Sequence, residues 1–267
     1  MPELPDLEIV KEVLNRRLKG KQVEKVEILR PLILRCLQEQ LFSGVEGSLL
    51  QSVKRRGKFL LFSFGNGTLG FHPMLSGRFQ LVQRGAPLKS RTCLKIGFVG
   101  GQELRYLDPR FMGRVYWAQG EDFSETPQFA TLGPDALDEP LSLELFKTRL
   151  RHFRGMIKNV LTNQRFLAGI GNAYADEILF TARICPLRKR STLSPDEVKS
   201  LYQAIGSVFA QAIGILKEKV GENIDVEERE FFKVHRKGGC PCPVCGTILS
   251  EVSPNRQTTT FCRHCQK

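Results

Sequence analysis

No stretch of the chain approaches the roughly 18 consecutive apolar residues that a membrane span needs, so none is expected to cross a bilayer. The opening residues, Met1-Pro2-Glu3-Leu4-Pro5-Asp6, lack the basic region and apolar core of a signal peptide. Without such a leader the expected compartment is reducing, and cysteines there serve as free thiols or metal ligands rather than disulfides. The sequence also has no internal repeat and no low-complexity tract. Acidic residues are in short supply: 28 Asp and Glu face 40 Lys and Arg, a net charge of +12. That imbalance favours a polyanionic partner, nucleic acid first. An anionic membrane surface ranks below it, because no basic amphipathic helix with a Trp/Leu face stands out.

What is present divides the chain in order. With 267 residues, 41% hydrophobic and 25% charged, it can bury one large core or two ordinary ones. Leu7, Ile9, Val10, Val13, Leu14 and Leu18 recur near a 3.6 period and predict a helix over 6–19. From about 22 to 118, short apolar runs such as Lys58 to Phe64 alternate with turns such as Gly65-Asn66-Gly67, which reads as a β-sandwich. Residues 119–141, rich in Asp, Glu, Pro and Gly, read as a linker. Helices are expected over 142–152, 154–162 and 172–182. Another should start at Ser194-Pro195-Asp196-Glu197, where a cap, a first-turn proline and two acids suit the positive end of the dipole. It is expected to reach about 219, and 220–239 to contain a mobile loop.

The eight cysteines are unevenly spread. Cys36, Cys93 and Cys185 are scattered, whereas Cys242-x2-Cys245 and Cys262-x2-Cys265 flank a segment suited to a hairpin and predict one tetrahedral Zn2+. Four thiolates leave no open coordination position, so the ion would be structural. Cys240 is an ambiguous neighbour, and His264 reads as a surface residue. At the other end, removal of Met1 would leave Pro2 as a secondary amine. Such an amine can attack a sugar C1′ and form a cationic Schiff base, with Glu3 to move protons.

These features come together in a resemblance. Met1 to Pro5, Arg55-Arg56-Gly57-Lys58-Phe59, His72 through Gly77, Asp108-Pro109-Arg110, Leu132-Gly133-Pro134, Ala168 through Glu177 and the cysteine tail occur in the order found in the Fpg/Nei family of DNA glycosylases, the formamidopyrimidine-DNA glycosylases. The chain resembles that family over nearly its whole length. The resemblance implies an α+β protein in three parts. They are an N-terminal β-sandwich with flanking helices (1–125), a helix–two-turn–helix domain (126–236) and a zinc-finger hairpin (237–267). It implies a bifunctional glycosylase and AP lyase acting on damaged double-stranded DNA in the bacterial cytosol and nucleoid, as a monomer.

Residue by residue, the resemblance makes Pro2 the nucleophile for base removal and β,δ-elimination, Glu3 the group that helps open the sugar, and Lys58 a cation near the damaged strand. Without it Lys58 reads as a surface lysine at a strand start. The resemblance places His72, Arg110, Lys158, Asn172, Arg256 and Gln257 at the DNA, with Gly169 to Asn172 offering phosphate a helix N-terminus. Asp176 and Glu177 have mainly a structural role in the family; alone they read as ordinary helix charges. The sequence departs from the family in two places. Where relatives fill the gap left by a flipped base with Met, Arg and Phe, this chain has Leu75, Phe111 and Met112. The missing Arg usually reads the opposite base, so weaker discrimination is expected. Gln257 stands where many relatives carry a phosphate-binding Arg, with Arg256 one residue earlier. The lesion class, oxidised purine or pyrimidine, stays open. So do two rival functions: a non-catalytic DNA binder on this fold, and a zinc-ribbon regulator of transcription.

Overall fold

The computed structural model describes residues 1–36, 38–120, 122–123, 126–137, 141–253 and 257–267. The chain forms two compact units, one of residues 1–130 with 216–228, the other of 131–215 with 229–267.

The first unit is the expected sandwich. Helix α1 (Leu4–Leu18) begins two residues earlier than the periodicity placed it, because Glu3 and Asp6 form a capping box and Pro5 fits the first turn. Eight strands follow: β1 (Val23–Ile28), β2 (Leu50–Arg56), β3 (Phe59–Phe64), β4 (Gly67–His72), β5 (Arg78–Gln83), β6 (Thr92–Phe98), β7 (Gln102–Leu107) and β8 (Arg114–Gln119). They make two antiparallel four-stranded sheets, in the orders β2-β3-β4-β8 and β1-β6-β7-β5. An aromatic cluster joins the two inner faces. Phe62 and Phe71 of the first sheet meet Phe79 and Tyr106 of the second, with ring centroids of neighbours 5.2–6.1 Å apart.

Helix α1 covers the open edge of β2. The Asn15 side chain completes the ladder there, donating to the Val53 carbonyl at 2.7 Å and accepting the Val53 N–H at 2.8 Å. The region read as strands alone also contains a short helix, α2 (Gln38–Val45). Leu41 and Val45, four apart, bury its inner face, a pattern too brief to separate from the surrounding apolar runs. The expected linker is in part anchored: Phe123 is buried and its ring packs on Phe129, which also meets Phe59. The segment 216–228 is fastened to this unit by ion pairs. They join Lys217 to Glu12, Arg16 to Glu222, Lys89 to Asp225 and Arg78 to Glu227.

The second unit contains α3 (Leu143–Arg151), α4 (Ile157–Thr162), α5 (Asn172–Thr181), α6 (Pro195–Val220) as far as Ile215, and the hairpin β9 (Ser250–Val252) and β10 (Thr259–Phe261). Helix α4 starts later than expected. Gly155 takes φ +103° and Met156 bridges to Lys189, so both lie outside the helix. A small core of Phe180, Val234, Cys242, Leu249 and Cys262 ties α5 to the cysteine tail.

Candidate active site and nucleic-acid interface

In the first unit the chain start is buried. Pro2 and Glu3 are both buried, although terminal residues normally fray. The capping box secures them: the Asp6 carboxylate accepts the Glu3 N–H at 2.8 Å, and the Glu3 carboxylate faces the Asp6 N–H. The amine of Met1 reaches Glu227 at 3.1 Å. Lys58 occupies the second position of the two-residue turn between β2 and β3, after Gly57 at φ +57°, a glycine-first hairpin. This turn is pinned to α1, since Arg55 donates to the Glu8 carboxylate at 2.7 Å and to the Gly57 carbonyl at 3.1 Å.

Lys58 is therefore not the surface lysine that its place in the sequence suggests. It is buried, and burial pushes its pKa below the ordinary lysine value, while the carboxylates of Glu3 and Asp6 act in the opposite sense. The structure thus brings together the start of the chain, a carboxylate one residue on, and a buried cation. His72, at the end of β4, stands near Lys58. Its ring packs edge-on against Phe59, with centroids 4.5 Å apart, and its Nδ1 accepts the Met74 N–H at 3.2 Å. Burial lowers its pKa to about 4, helped by the charges of Lys58 and Arg114. Neutral His72 with Nδ1 as acceptor carries its proton on Nε2, a donor for a sugar or phosphate oxygen.

Two loops beside this cluster carry the apolar residues at the positions of departure. Leu75 is 41% exposed and Met112 40% exposed, so neither belongs to the core. Phe111 is half-buried and Arg110 exposed. Asp108, wholly buried, holds both loops. Its carboxylate accepts the Ser76 hydroxyl, the Arg110 N–H at 3.1 Å and the Gly113 N–H at 2.6 Å. Gly77 and Gly113 let the loops pass over Tyr106, since a Cβ at either would fall within 2.1 Å of its hydroxyl.

In the second unit, Gln164 clamps the loop that opens α5, donating to the Ile170 carbonyl at 2.7 Å and accepting the Gly169 N–H at 2.9 Å. Asn172 donates its amide N–H to the Thr258 carbonyl at 2.8 Å, and its buried Oδ1 has no partner among the described residues. Lys158 does not join it as a surface cation. It is 3% exposed, and its ammonium lies 2.6 Å from Asp176 and donates to the Thr258 carbonyl and the Thr259 hydroxyl. Gln257 is exposed at the hairpin, while Arg256 lies outside the described residues.

Asp176 and Glu177 are not ordinary helix charges either. Both are buried. Asp176 also meets His235 Nδ1 at 2.7 Å, and Glu177 accepts the N–H groups of Lys233, Val234 and His235 at 2.8–2.9 Å. That nest ties down the latter part of 220–239, where a mobile loop was expected. Sequence reasoning missed Asp108, Gln164 and His235. Only their positions inside or near the quoted motifs could have marked them.

The sulfurs of Cys242, Cys245, Cys262 and Cys265 lie within 4.8 Å of one another, with Cys242–Cys265 at 3.9 Å and Cys245–Cys262 at 3.5 Å. Four thiolates about 2.3 Å from a tetrahedral ion would be spaced by about 3.8 Å, so the set fits a metal. Cys240, left ambiguous by the sequence, is exposed and outside the set, and His264 is exposed as expected.

A pH titration checks the His72 environment. A folded pKa near 4, below the unfolded value near 6.5, means that the unfolded chain binds the proton first. This group's contribution to stability is complete above about pH 6.5 and is lost as pH falls toward 4. The His72 ring resonance should therefore stay flat from pH 8 to about 5 and move only near 4. A midpoint at 6 or above would contradict the burial described.

The family model for the formamidopyrimidine-DNA glycosylase N-terminal domain matches residues 1–115, and that for the formamidopyrimidine-DNA glycosylase H2TH domain matches 132–223. The formamidopyrimidine-DNA glycosylase of Listeria innocua is 32% identical over 273 residues, covering all of both chains. That of Bacillus cereus is 33% identical over 274 residues, covering 100% of this chain and 99% of its own. Among solved structures, the complex of Lactococcus lactis Fpg with DNA containing an abasic site has a TM-score of 0.90 at 28% identity, covering 99% of each chain. MutM in complex with DNA containing carbocyclic 8-oxo-G also has a TM-score of 0.90 at 28% identity, with both chains fully covered. The first unit carries that family's N-terminal domain and the second its helical domain, so the chain belongs to the formamidopyrimidine-DNA glycosylase family.

Proposed function

We propose that the chain is a bifunctional DNA glycosylase and AP lyase of base excision repair that removes oxidised purines through its own N-terminal proline. The observation that carries this reading is the burial of Pro2 and Glu3 beside a buried Lys58. A protein that only bound DNA would gain nothing from ordering its chain end next to a buried lysine. The names of the relatives support the substrate class, formamidopyrimidines and 8-oxoguanine among oxidised purines.

The chemistry follows from the groups present. With Met1 in place, the Pro2 nitrogen is an amide without a free lone pair; once Met1 is removed it is a secondary amine. Attack on C1′ expels the damaged base with the glycosidic electron pair, and the proton that the Pro2 nitrogen loses on attack passes to the departing base. Glu3 supplies a proton to the sugar oxygen, which opens the ring and leaves an iminium between Pro2 and C1′. The iminium acidifies the C2′ proton; its loss expels the 3′ phosphate, and a second elimination expels the 5′ phosphate. Lys58 holds a strand phosphate as a point charge, and neutral His72 donates from Nε2. Arg110, Asn172, Gln257 and Arg256 contact the backbone, and Leu75, Phe111 and Met112 fill the space left by the extruded nucleotide. Lys158 acts indirectly, by fixing Thr258 and Thr259 at the base of the hairpin.

One structural Zn2+ on Cys242, Cys245, Cys262 and Cys265 would fold the tail, and with four thiolates it has no position for substrate. Elemental analysis should find about one zinc per chain. Cys262→Ser should lose both the zinc and the affinity for DNA, and Cys240→Ser should lose neither. Metal-free protein with full affinity would contradict the assignment.

Glu3→Gln separates the two chemical steps. Glutamine keeps an acceptor oxygen for the capping box but cannot supply the proton. Release of an oxidised purine should fall by about 10²-fold or more, while cleavage at a preformed abasic site stays within a few fold. Equal loss on both substrates would contradict the role given to Glu3. Binding without cleavage of either substrate by the unsubstituted protein would replace the enzyme with a non-catalytic binder.

A further inference from the structure

A second carboxylate stands at the start of the chain, brought there from far along the sequence. Glu227 belongs to the stretch 222–228, which follows α6 and carries four acids and no base in a chain of net charge +12. The stretch is pinned to the first unit. Ile224 is buried, the Asp225 carboxylate accepts Nε2–H of Gln80 at 3.2 Å and pairs with Lys89, and Glu222 pairs with Arg16 at 2.7 Å. Glu227 is thereby set against the chain end. One of its oxygens lies 3.1 Å from the Met1 amine, and the other pairs with Arg78 of β5. Arg78 is itself fixed: its guanidinium donates to the Gly77 carbonyl at 2.9 Å, and its side chain is only 18% exposed.

Removal of Met1 moves the amine one residue along. A residue spans at most about 3.6 Å, so the Pro2 nitrogen lies within about 7 Å of the same carboxylate. The Glu227 side chain is 36% exposed and has room to follow it. An amine attacks only as the free base, and a neighbouring negative charge stabilises the ammonium instead. The charged groups around the chain start divide by sign. Glu3 and Asp6 of α1 and Glu227 favour the ammonium, while Lys58 from the β2–β3 turn and Arg78 from β5 oppose it. His72, at the end of β4, is neutral and adds no charge. Glu3 and Asp6 are engaged with each other's backbone in the capping box, whereas Glu227 touches the terminal amine itself.

We propose that Glu227, braced by Arg78, holds the terminal amine as an ammonium and so sets the pH at which Pro2 becomes a nucleophile. This rests on the glycosylase reading above. Glu227 is a positioning residue, because it acts on the reaction through Pro2. The ammonium is inert toward stray aldehydes, and loss of one proton to water gives the free base that attacks C1′. Arg78 shares the carboxylate and limits its hold on the amine.

The test follows cyanoborohydride trapping of the Pro2 adduct on saturating abasic DNA as a function of pH. The rate should rise with the fraction of free base and reach a plateau. Glu227→Gln should lower the midpoint by about half a unit to one unit, which speeds trapping about three- to tenfold well below the midpoint and leaves the plateau in place. Glu227→Asp, which keeps the charge, should restore most of the difference. Arg78→Gln, which leaves the carboxylate to the amine alone, should move the midpoint up. A loosened fold would not give shifts of opposite sign. If Glu227→Gln leaves the midpoint where it was, or lowers the plateau without moving it, Glu227 is only a structural contact and the proposal is overturned.

Reductive methylation of the terminal nitrogen by formaldehyde, without DNA, reads the same midpoint and keeps two failures apart. A methylation midpoint that moves with Glu227, in protein whose trapped adduct maps elsewhere or does not form, would refute the enzyme reading and support the assignment of Glu227. Trapping at Pro2 with both midpoints unmoved would refute the assignment alone.

Discussion

The capping box between Glu3 and Asp6 is the interaction on which the buried start of the chain, and the active site proposed there, depends. A chain end ordinarily frays, and the nucleophilic role proposed for Pro2 requires that this one does not. Here the first helical turn buries Pro2 and Glu3, and the same two carboxylates lie close enough to Lys58 to oppose the loss of its charge on burial. The Glu8–Arg55 pair repeats the connection from the next turn of α1 to the hairpin that carries Lys58. Helix start, hairpin turn and the cluster of Glu3, Asp6 and Lys58 are thus one mechanical unit.

Asp108 plays the corresponding part for the loops that would meet DNA. Its carboxylate accepts three hydrogen bonds and its backbone makes two more, which is how exposed apolar side chains are held away from the core. Left alone, Leu75, Phe111 and Met112 would collapse onto the sheet, since burying an apolar side chain is favourable. The residues with positive φ on these loops store strain of about 1–3 kcal/mol each. Strain and exposure in the same place mark a surface shaped for a partner. In the second unit, the buried set of Asp176, Lys158, Glu177 and His235 does similar work for the α5 entrance and the cysteine tail.

Much of this was legible in the sequence because it is local. The cysteine spacing located the four sulfurs, Ser194-Pro195 located the start of α6, and the 3.6 period located α1. The quoted motifs placed Pro2, Glu3 and Lys58 in one family before any coordinates. What was not legible depends on contacts between distant residues. Lys158 looks like one more cation in a basic chain, and only the fold turns it toward Asp176. Asp176 and Glu177 look like helix surface, yet they are buried because His235 and the backbone of 233–235 return to them. Helix α2 is too short for its period to stand out.

The most direct measurement is borohydride trapping on DNA with an abasic site, followed by mass mapping of the adduct. The covalent bond should be found at Pro2, in protein that has lost Met1, and Pro2→Gly should sharply weaken trapping. An adduct at Lys58, or full trapping by protein that retains Met1, would contradict the assignment of the chain's own N-terminus as nucleophile.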